Sequence, residues 1–152
     1  MPISQCPDEV KWLWNVNDSI ANKIAFMKKE EIDANLILKL TFHFSLSIIN
    51  YCDILDSSKK YTISRQLLKS GSSIGANSME AQNAESKADF IHKIKIAAKE
   101  ADETQYWLLL CSFSDKYPEC NSLLIQLESI QKVLNKILGT ARKKDPVSYL
   151  VI

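Results

Sequence analysis

Apolar residues recur at alternating steps of four and three between Lys87 and Phe113. This spacing places them on one side of an α-helix and predicts a helix over that stretch. Ser86 precedes it and Asp89 follows three residues later, a combination typical of a helix N-terminus, because the hydroxyl accepts an unpaired N–H and the acid lies at the positive helix end. The series is Phe90, Ile94, Ala97, Ala101, Thr104, Leu108 and Cys111.

The preceding segment predicts a second helix, with Thr62 as its N-cap and a break at residues 83–86. Its predicted face consists of Ile63, Leu67, Ser70, Ile74 and Asn77, with Leu68, Gly71, Gly75 and Met79 beside it. Glycine inside a helix costs roughly 1 kcal/mol relative to alanine, so we expect a neighbouring helix to approach closely at the G-x-x-x-G spacing. A phosphate-binding loop is disfavoured, because neither a preceding strand nor a G-K-[ST] sequence is present.

Two further amphipathic patterns flank this pair and predict helices from about Asp33 to Leu55 and from about Asn121 to Lys144. The first stripe is Ile37, Leu40, Phe44, Ile48 (or Ser47), Tyr51 and Leu55; the second is Leu123 or Leu124, Leu127, Ile130, Leu134, Ile137 or Leu138, and Ala141. Four amphipathic helices joined by short loops predict an all-α protein, an up-down-up-down antiparallel four-helix bundle over residues 27–145.

The two ends of the chain differ from the predicted bundle. Residues 1–26 have weak periodicity around Trp12 and Trp14. One interpretation is that translation starts at Met27, which makes the upstream segment a non-native or poorly ordered extension; the other is a short helix that packs its tryptophans on the bundle. The tail, residues 146–152, is too short to fold alone, and we expect it to be loose or to dock on a neighbour.

The composition is that of an ordinary globular domain, with 46% apolar and 24% charged residues among 152. Only three glycines and four prolines argue against an all-β fold. Four cysteines are widely spaced without a C-x-x-C pair, which disfavours common zinc and thioredoxin-like sites; Cys52 and Cys111 lie on apolar helix faces and are expected to be buried and reduced. With no secretory leader and no apolar run of about 18 residues, we expect a cytoplasmic protein without a membrane partner.

The central stretch resembles the bacterial four helix bundle protein family, whose members are encoded in 23S ribosomal RNA intervening sequences. It is distantly similar to the accessory proteins of diversity-generating retroelements. The resemblance implies a ring-like homopentamer and, for the retroelement relatives, binding of nucleic acid and of a reverse transcriptase. The residues that carry it are Arg65–Leu68, Ser73–Asn77, Glu80-Ala81, Ser86–Ile91 and Ala97–Trp107.

Basic residues gather at one end of the predicted bundle, because the third helix begins where the fourth ends. From Ser129 to Lys144 there are five basic residues and no acid, although the formal net charge of the chain is only +1. Three interpretations are open: phosphate binding on nucleic acid such as RNA through counterion release, a solvated face that helps a helix C-terminus electrostatically, or binding of another acidic partner. The candidates for nucleic-acid binding are Lys87, Lys93, Lys95, Lys132, Lys136, Arg142, Lys143 and Lys144.

A polar group on the two central helices, Asn77 and Glu80 with Glu100 and Glu103, predicts a buried network that fixes helix register, or contacts between subunits. Catalysis by a carboxylate pair is disfavoured, because no nucleophile or histidine accompanies the group in the motif. The positions expected to have structural roles are Arg65, Gly71, Gly75, Asn77, Glu80, Ser86, Asp89 and Glu103.

Catalytic metal chemistry is equally disfavoured. Asp89-x-x-His92 is the one near match to the Glu-x-x-His of di-iron bundles, and Asp89 suits the helix N-terminus better. We therefore expect no cofactor and no enzyme. The sequence favours an oligomeric helical scaffold that binds RNA or a ribonucleoprotein through its basic end. The alternative is a purely structural or protein-binding homo-oligomer without affinity for nucleic acid.

Overall fold

The computed structural model describes residues 29–143, and the regular elements in this range are all helices. The chain divides into two units, Met1–Asn35 and Leu36–Ile152. In the first unit the described residues are helical up to residue 34 and bend at Asn35. The second unit contains α1 (Leu36–Ser57), α2 (Tyr61–Ala81), α3 (Lys87–Ser112) and α4 (Asn121–Lys143). The helix predicted from about Asp33 thus begins three residues later, after the bend.

The four helices form the predicted antiparallel bundle. Each helix packs on the next in sequence, and α4 packs back on α1. This arrangement places α1 and α3 on one diagonal of the bundle and α2 and α4 on the other. The all-α, up-down-up-down fold expected from the sequence is therefore confirmed.

The core lies on the faces that the hydrophobic spacing predicts. In α3, every predicted position from Ile94 to Cys111 is buried, whereas Phe90 is half-buried near the helix start. In α4 the structure decides both open alternatives, because Leu123 and Leu138 are buried while Leu124 and Ile137 are half-buried.

The N-termini of the two central helices differ in how they are capped. At α3 the Asp89 N–H donates to Ser86 Oγ at 3.1 Å, as predicted, while the Asp89 carboxylate accepts from the Glu85 N–H at 3.2 Å. At α2 the predicted N-cap, Thr62, is wrong. The helix starts at Tyr61 after Lys60, because Lys59 reverses the chain in the left-handed region (φ 60°) and leaves Lys60 O to accept the Ser64 N–H.

The buried face of α2 differs in part from the predicted one. Ser70 is buried as predicted, but Ser64 and Ser78 are buried where the prediction had Ile63 and Asn77, which are only half-buried. The buried face is thus rotated slightly from the predicted face, with Leu67, Ser70 and Ile74 common to both. The predicted close approach is confirmed at Gly71, where an added Cβ would lie 3.0 Å from Ile48 Cγ1 of α1.

Candidate interaction surfaces

The start of α3 and the end of α4 form a cleft at the predicted basic end. The cleft has a volume of about 450 Å³ and an almost wholly apolar floor. Its lining residues are Lys87, Phe90, Lys136, Ile137, Thr140 and Ala141. The antiparallel packing therefore brings Lys87 and Lys136 to one cleft, although they are far apart in sequence.

Two of the other predicted basic residues are engaged in ion pairs. Lys93 Nζ lies 2.5 Å from Glu80 Oε2 of α2, and this hydrogen-bonded carboxylate raises the pKa of Lys93. Lys132 Nζ lies 2.6 Å from Glu128 Oε1, one turn earlier on α4. Both lysines thus have part of their charge compensated within the bundle.

The remaining candidates are spread over the same half of the molecule. Lys95 is exposed on α3, about two turns beyond Lys87, and Arg142 and Lys143 are exposed in the last turn of α4. Lys144 lies outside the described residues. Among the described candidates, Lys93 and Lys132 are thus paired with carboxylates, whereas Arg142 and Lys143 form an exposed basic pair at the end of α4.

The four polar residues predicted to form one network instead have separate partners. Asn77 donates to Ser73 O of its own helix at 2.9 Å, Glu80 pairs with Lys93, and Glu103 accepts from Trp107 Nε1 at 3.3 Å. Burial raises the pKa of Glu100, and the nearby Glu103 raises it further while Lys69 opposes the shift. The predicted network is thus absent from the described residues, because these side chains lie toward the edges of α2 and α3.

A different polar pair connects the two central helices. Thr104 Oγ1 lies 2.9 Å from Ser70 Oγ, and both residues are fully buried. Ser70 donates to Gln66 O at 3.0 Å, and Thr104 Oγ1 also lies 2.7 Å from Glu100 O, so the single Thr104 proton is shared between Ser70 Oγ and the carbonyl of its own helix. Sequence analysis placed both residues on the inner faces, but not in contact, because the axial offset of two helices is not encoded in either pattern alone.

An exposed apolar strip, here called the α1 strip, runs along the outside of α1. It consists of Phe42, Leu46 and Ile49, which follow i, i+4, i+7 spacing and are each 42–45% exposed. Leu68 of α2 is exposed to a similar degree. A groove of about 240 Å³ beside Phe42 is lined on the α2 side by Gly75, Ala76 and Met79.

A second exposed strip, the α3 strip, lies on the outside of α3. Tyr106 and Leu110 are 57% and 42% exposed, and Phe113, directly after the helix, is 87% exposed. Since α1 and α3 are diagonal in the bundle, the two strips lie on opposite sides. Neither strip follows from the predicted core stripes; the sequence signal for each is a second apolar series beside the core stripe of its helix.

The described residues provide little for metal or thiol chemistry. No group of three or more His, Cys, Asp and Glu side chains in residues 29–143 is placed to hold a metal ion. Cys52, Cys111 and Cys120 are free and buried, and burial raises the pKa of each thiol. Cys6 lies outside the described range. Within that range no helix is both long and apolar enough to cross a bilayer.

Comparison with known proteins gives a consistent family assignment. The protein is similar to a solved structure from Bacteroides thetaiotaomicron, a protein of unknown function from the S23 ribosomal protein family; the two share 38% identity with a TM-score of 0.64. The similarity covers 67% of this chain and 97% of that one. No curated protein matches. A sequence profile named for the 23S rRNA-intervening sequence protein matches residues 33–136. The chain therefore belongs to the 23S rRNA-intervening sequence protein family.

Proposed function

We propose that this protein is a non-enzymatic, ring-forming helical scaffold of the bacterial cytoplasm that works by binding other macromolecules. The observation that carries the proposal is the pair of exposed apolar strips on opposite sides of one bundle. Exposed apolar residues that follow one helix face are the expected mark of an interface, whereas scattered single residues are ordinary surface. Here three exposed apolar residues follow the outer face of α1, and three more follow the outer face of α3 through the residue directly after it, Phe113.

The placement of the strips favours a closed ring. When two different surfaces on opposite sides of a subunit associate, the contact is head-to-tail, and repeated contacts close into a ring if the rotation permits. An isologous dimer needs only one self-complementary surface and leaves the second strip exposed. The family resemblance implies five subunits, and the two strips provide a physical basis for such an assembly.

Light scattering on the purified protein tests this proposal. Leu46→Glu in the α1 strip and Tyr106→Glu in the α3 strip should each reduce the assembly to monomers or short oligomers, because a buried unpaired carboxylate opposes association. Ile125→Glu is the matched control, since Ile125 is 66% exposed on α4 and belongs to neither strip. A monomeric wild-type protein, or strip variants that assemble as the control does, would contradict the proposal.

A mixing experiment then separates a head-to-tail contact from an isologous one. The Leu46→Glu protein retains an intact α3 strip, and the Tyr106→Glu protein retains an intact α1 strip. Mixed in equal amounts, they should form a heterodimer that neither variant forms alone. If mixing produces no heterodimer, the two strips do not bind each other and the ring geometry is wrong.

The second candidate function is RNA binding by the same scaffold through its basic end. Arg142 and Lys143 are exposed in the last turn of α4, and the second half of that helix contains no acid. Repeated around a ring, this group would offer many phosphate contacts, although each subunit contributes few. The alternative remains a homo-oligomer that binds proteins only, and RNA affinity measured at two salt concentrations distinguishes the two.

A further inference from the structure

The cleft between α3 and α4 is separate from both apolar strips, and nothing in the proposed ring uses it. Phe90, Ile137 and Ala141 supply its apolar surface, and Lys87 and Lys136 also line it. Its volume of about 450 Å³ lies within the range of roughly 300–1,000 Å³ that is common for ligand sites. It is an open groove, which suits an extended peptide better than a small molecule that needs enclosure.

The segment that follows α4 has the chemistry to fill this groove. The described chain ends at Lys143, two residues beyond Ala141 in the groove lining. The next residues are Lys144, Asp145 and Pro146, followed by the largely apolar run Val147–Ile152. A proline disfavours helical geometry in the residue before it, so the sequence predicts that the helix does not continue through Asp145.

We propose that the C-terminal segment, Val147–Ile152, folds back and docks in this groove of its own chain. The distance is short: the lining residues on α4 lie two to seven positions before Lys143, or about 3–11 Å along the axis at 1.5 Å per residue. The nine residues from 144 to 152 span up to about 30 Å when extended, so reach does not limit the contact. Because the segment is tethered at the groove, docking within the chain has a high effective concentration.

The charges agree with this occupant. Asp145 is the one acidic residue between Glu128 and Ile152, and it follows Lys143, the last described residue of α4, by two positions; Lys87 and Lys136 in the groove carry the opposite charge. The apolar run behind it meets the apolar floor formed by Phe90 and Ile137. An apolar tail and an apolar groove at the same end of the molecule would otherwise both remain in water.

Chymotrypsin cleavage of the full chain tests the proposal, because Tyr149 and Leu150 are cleavage sites inside the segment. We expect cleavage after either residue to be at least about ten times slower in the native protein than in a synthetic peptide of residues 144–152, since a docked segment must open before it is cut. Cleavage is followed by intact mass. Equal rates for the protein and the peptide would overturn the proposal.

Groove variants show whether protection depends on this site. Ala141→Lys places a long charged side chain in the groove while remaining compatible with a helix C-terminus. It should restore fast cleavage, and so should Phe90→Ala, which removes part of the floor by a different route. Asn135→Lys, an exposed change on the same helix outside the groove lining, is the control. Protection that persists in both groove variants would contradict docking there.

A final mixture distinguishes docking within one chain from docking on a second copy. The Ala141→Lys protein has an intact tail and a blocked groove, whereas Leu150→Asp/Val151→Asp has an open groove and a charged tail. If the Ala141→Lys tail stays cleavable when the two are mixed, docking within the chain is supported. If its protection returns, the segment binds a neighbouring copy and the proposal is wrong in that respect.

Discussion

Gly71 of α2 packs directly against Ile48 of α1, so closely that a methyl group at position 71 would lie 3.0 Å from Ile48 Cγ1. Ile48 is fully buried, so its side chain has little room to move away. By contrast, a Cβ at Gly75 would make ordinary contacts of 3.4–3.5 Å with Ser45 and Thr41, and one at Gly139 would meet nothing within 4 Å. The three glycines therefore form a graded series.

We predict that the effect of an alanine substitution on the free energy of unfolding follows the space around each glycine, from stabilising at Gly139 to destabilising at Gly71. Gly139→Ala should stabilise by about 0.5–1 kcal/mol through helix propensity, and Gly75→Ala by a similar or smaller amount. Gly71→Ala should destabilise by about 1 kcal/mol, because overpacking of roughly 1–3 kcal/mol exceeds the propensity gain. Urea titration measures all three. A Gly71→Ala protein as stable as Gly139→Ala would show that Ile48 repacks without cost.

The Ser70–Thr104 contact predicts a measurable coupling between α2 and α3. Thr104→Val and Ser70→Ala should each destabilise the protein, because each leaves a buried hydrogen-bonding group with fewer partners. The double variant should lose less unfolding free energy than the two single variants lose together, and the difference, the coupling energy, should be about 0.5–1 kcal/mol. The control pair is Ser70→Ala with Thr140→Val, since the exposed Thr140 hydroxyl donates to Lys136 O of its own helix and lies on a different helix from Ser70. Additivity in both pairs would mean that the 2.9 Å contact contributes nothing to stability.

The pKa shifts of Glu100 and Glu128 have opposite directions, so we predict opposite effects of the two ionisations on stability. The pKa of Glu100 is raised, mainly by desolvation, so its ionised form opposes folding and Glu100→Gln should be more stable than wild type at neutral pH. That difference should disappear below the unfolded pKa of about 4.5, where wild-type Glu100 is protonated in both states. Unfolding curves between pH 3 and 7 measure the effect.

Ionisation of Glu128 has the opposite effect on stability from ionisation of Glu100. Its hydrogen bond to Lys132 lowers its pKa, so the ionised form favours folding above the unfolded pKa of about 4.5, and this contribution disappears as the pH falls through the lowered folded value. Glu128→Gln should therefore be slightly less stable than wild type at neutral pH and equal to it in acid. The pair is exposed, so the effect should be small. The same sign for both variants would contradict the assigned causes.

RNA binding, if it occurs through the basic end, should depend on the last turn of α4. Arg142→Glu/Lys143→Glu/Lys144→Glu should reduce RNA affinity at least about tenfold at low salt and flatten its salt dependence, because fewer counterions are released. Lys59→Glu/Arg65→Glu/Lys69→Glu changes the net charge equally at the start of α2, away from the predicted end, and is the matched control. Equal losses in both variants would indicate general electrostatics, and no RNA affinity in wild type would favour a protein-binding scaffold.

The three described cysteines should be unreactive in the native protein. Cys52, Cys111 and Cys120 are buried, and a raised pKa keeps each thiol protonated at neutral pH, whereas the thiolate is the reactive form. Iodoacetamide at pH 7.5 should alkylate these sites only after denaturation, as read by site-resolved mass spectrometry. Fast native modification of Cys111 would indicate that the bundle opens locally near the end of α3 and the start of α4.

The sequence alone determined the elements and most of their buried faces. Helical periodicity is local, so the spacing from Ile94 to Cys111 specifies one buried side of α3 without knowledge of its partners. The Ser86 cap could also be recognised, because its hydrogen bonds close within one turn. The same locality explains the error at Thr62, since the start of α2 depends on how Lys59 reverses the chain.

Only the tertiary structure decided which residues meet across helices. The rotation and axial offset of α1, α2 and α3 bring Gly71 against Ile48 and Ser70 against Thr104, and no single-helix pattern encodes them. For this reason Lys93 was assigned to a basic patch but pairs with Glu80, and Thr104 was assigned to the core but contacts Ser70. The two outward strips became recognisable as surfaces on opposite sides only once α1 and α3 were seen to occupy one diagonal of the bundle.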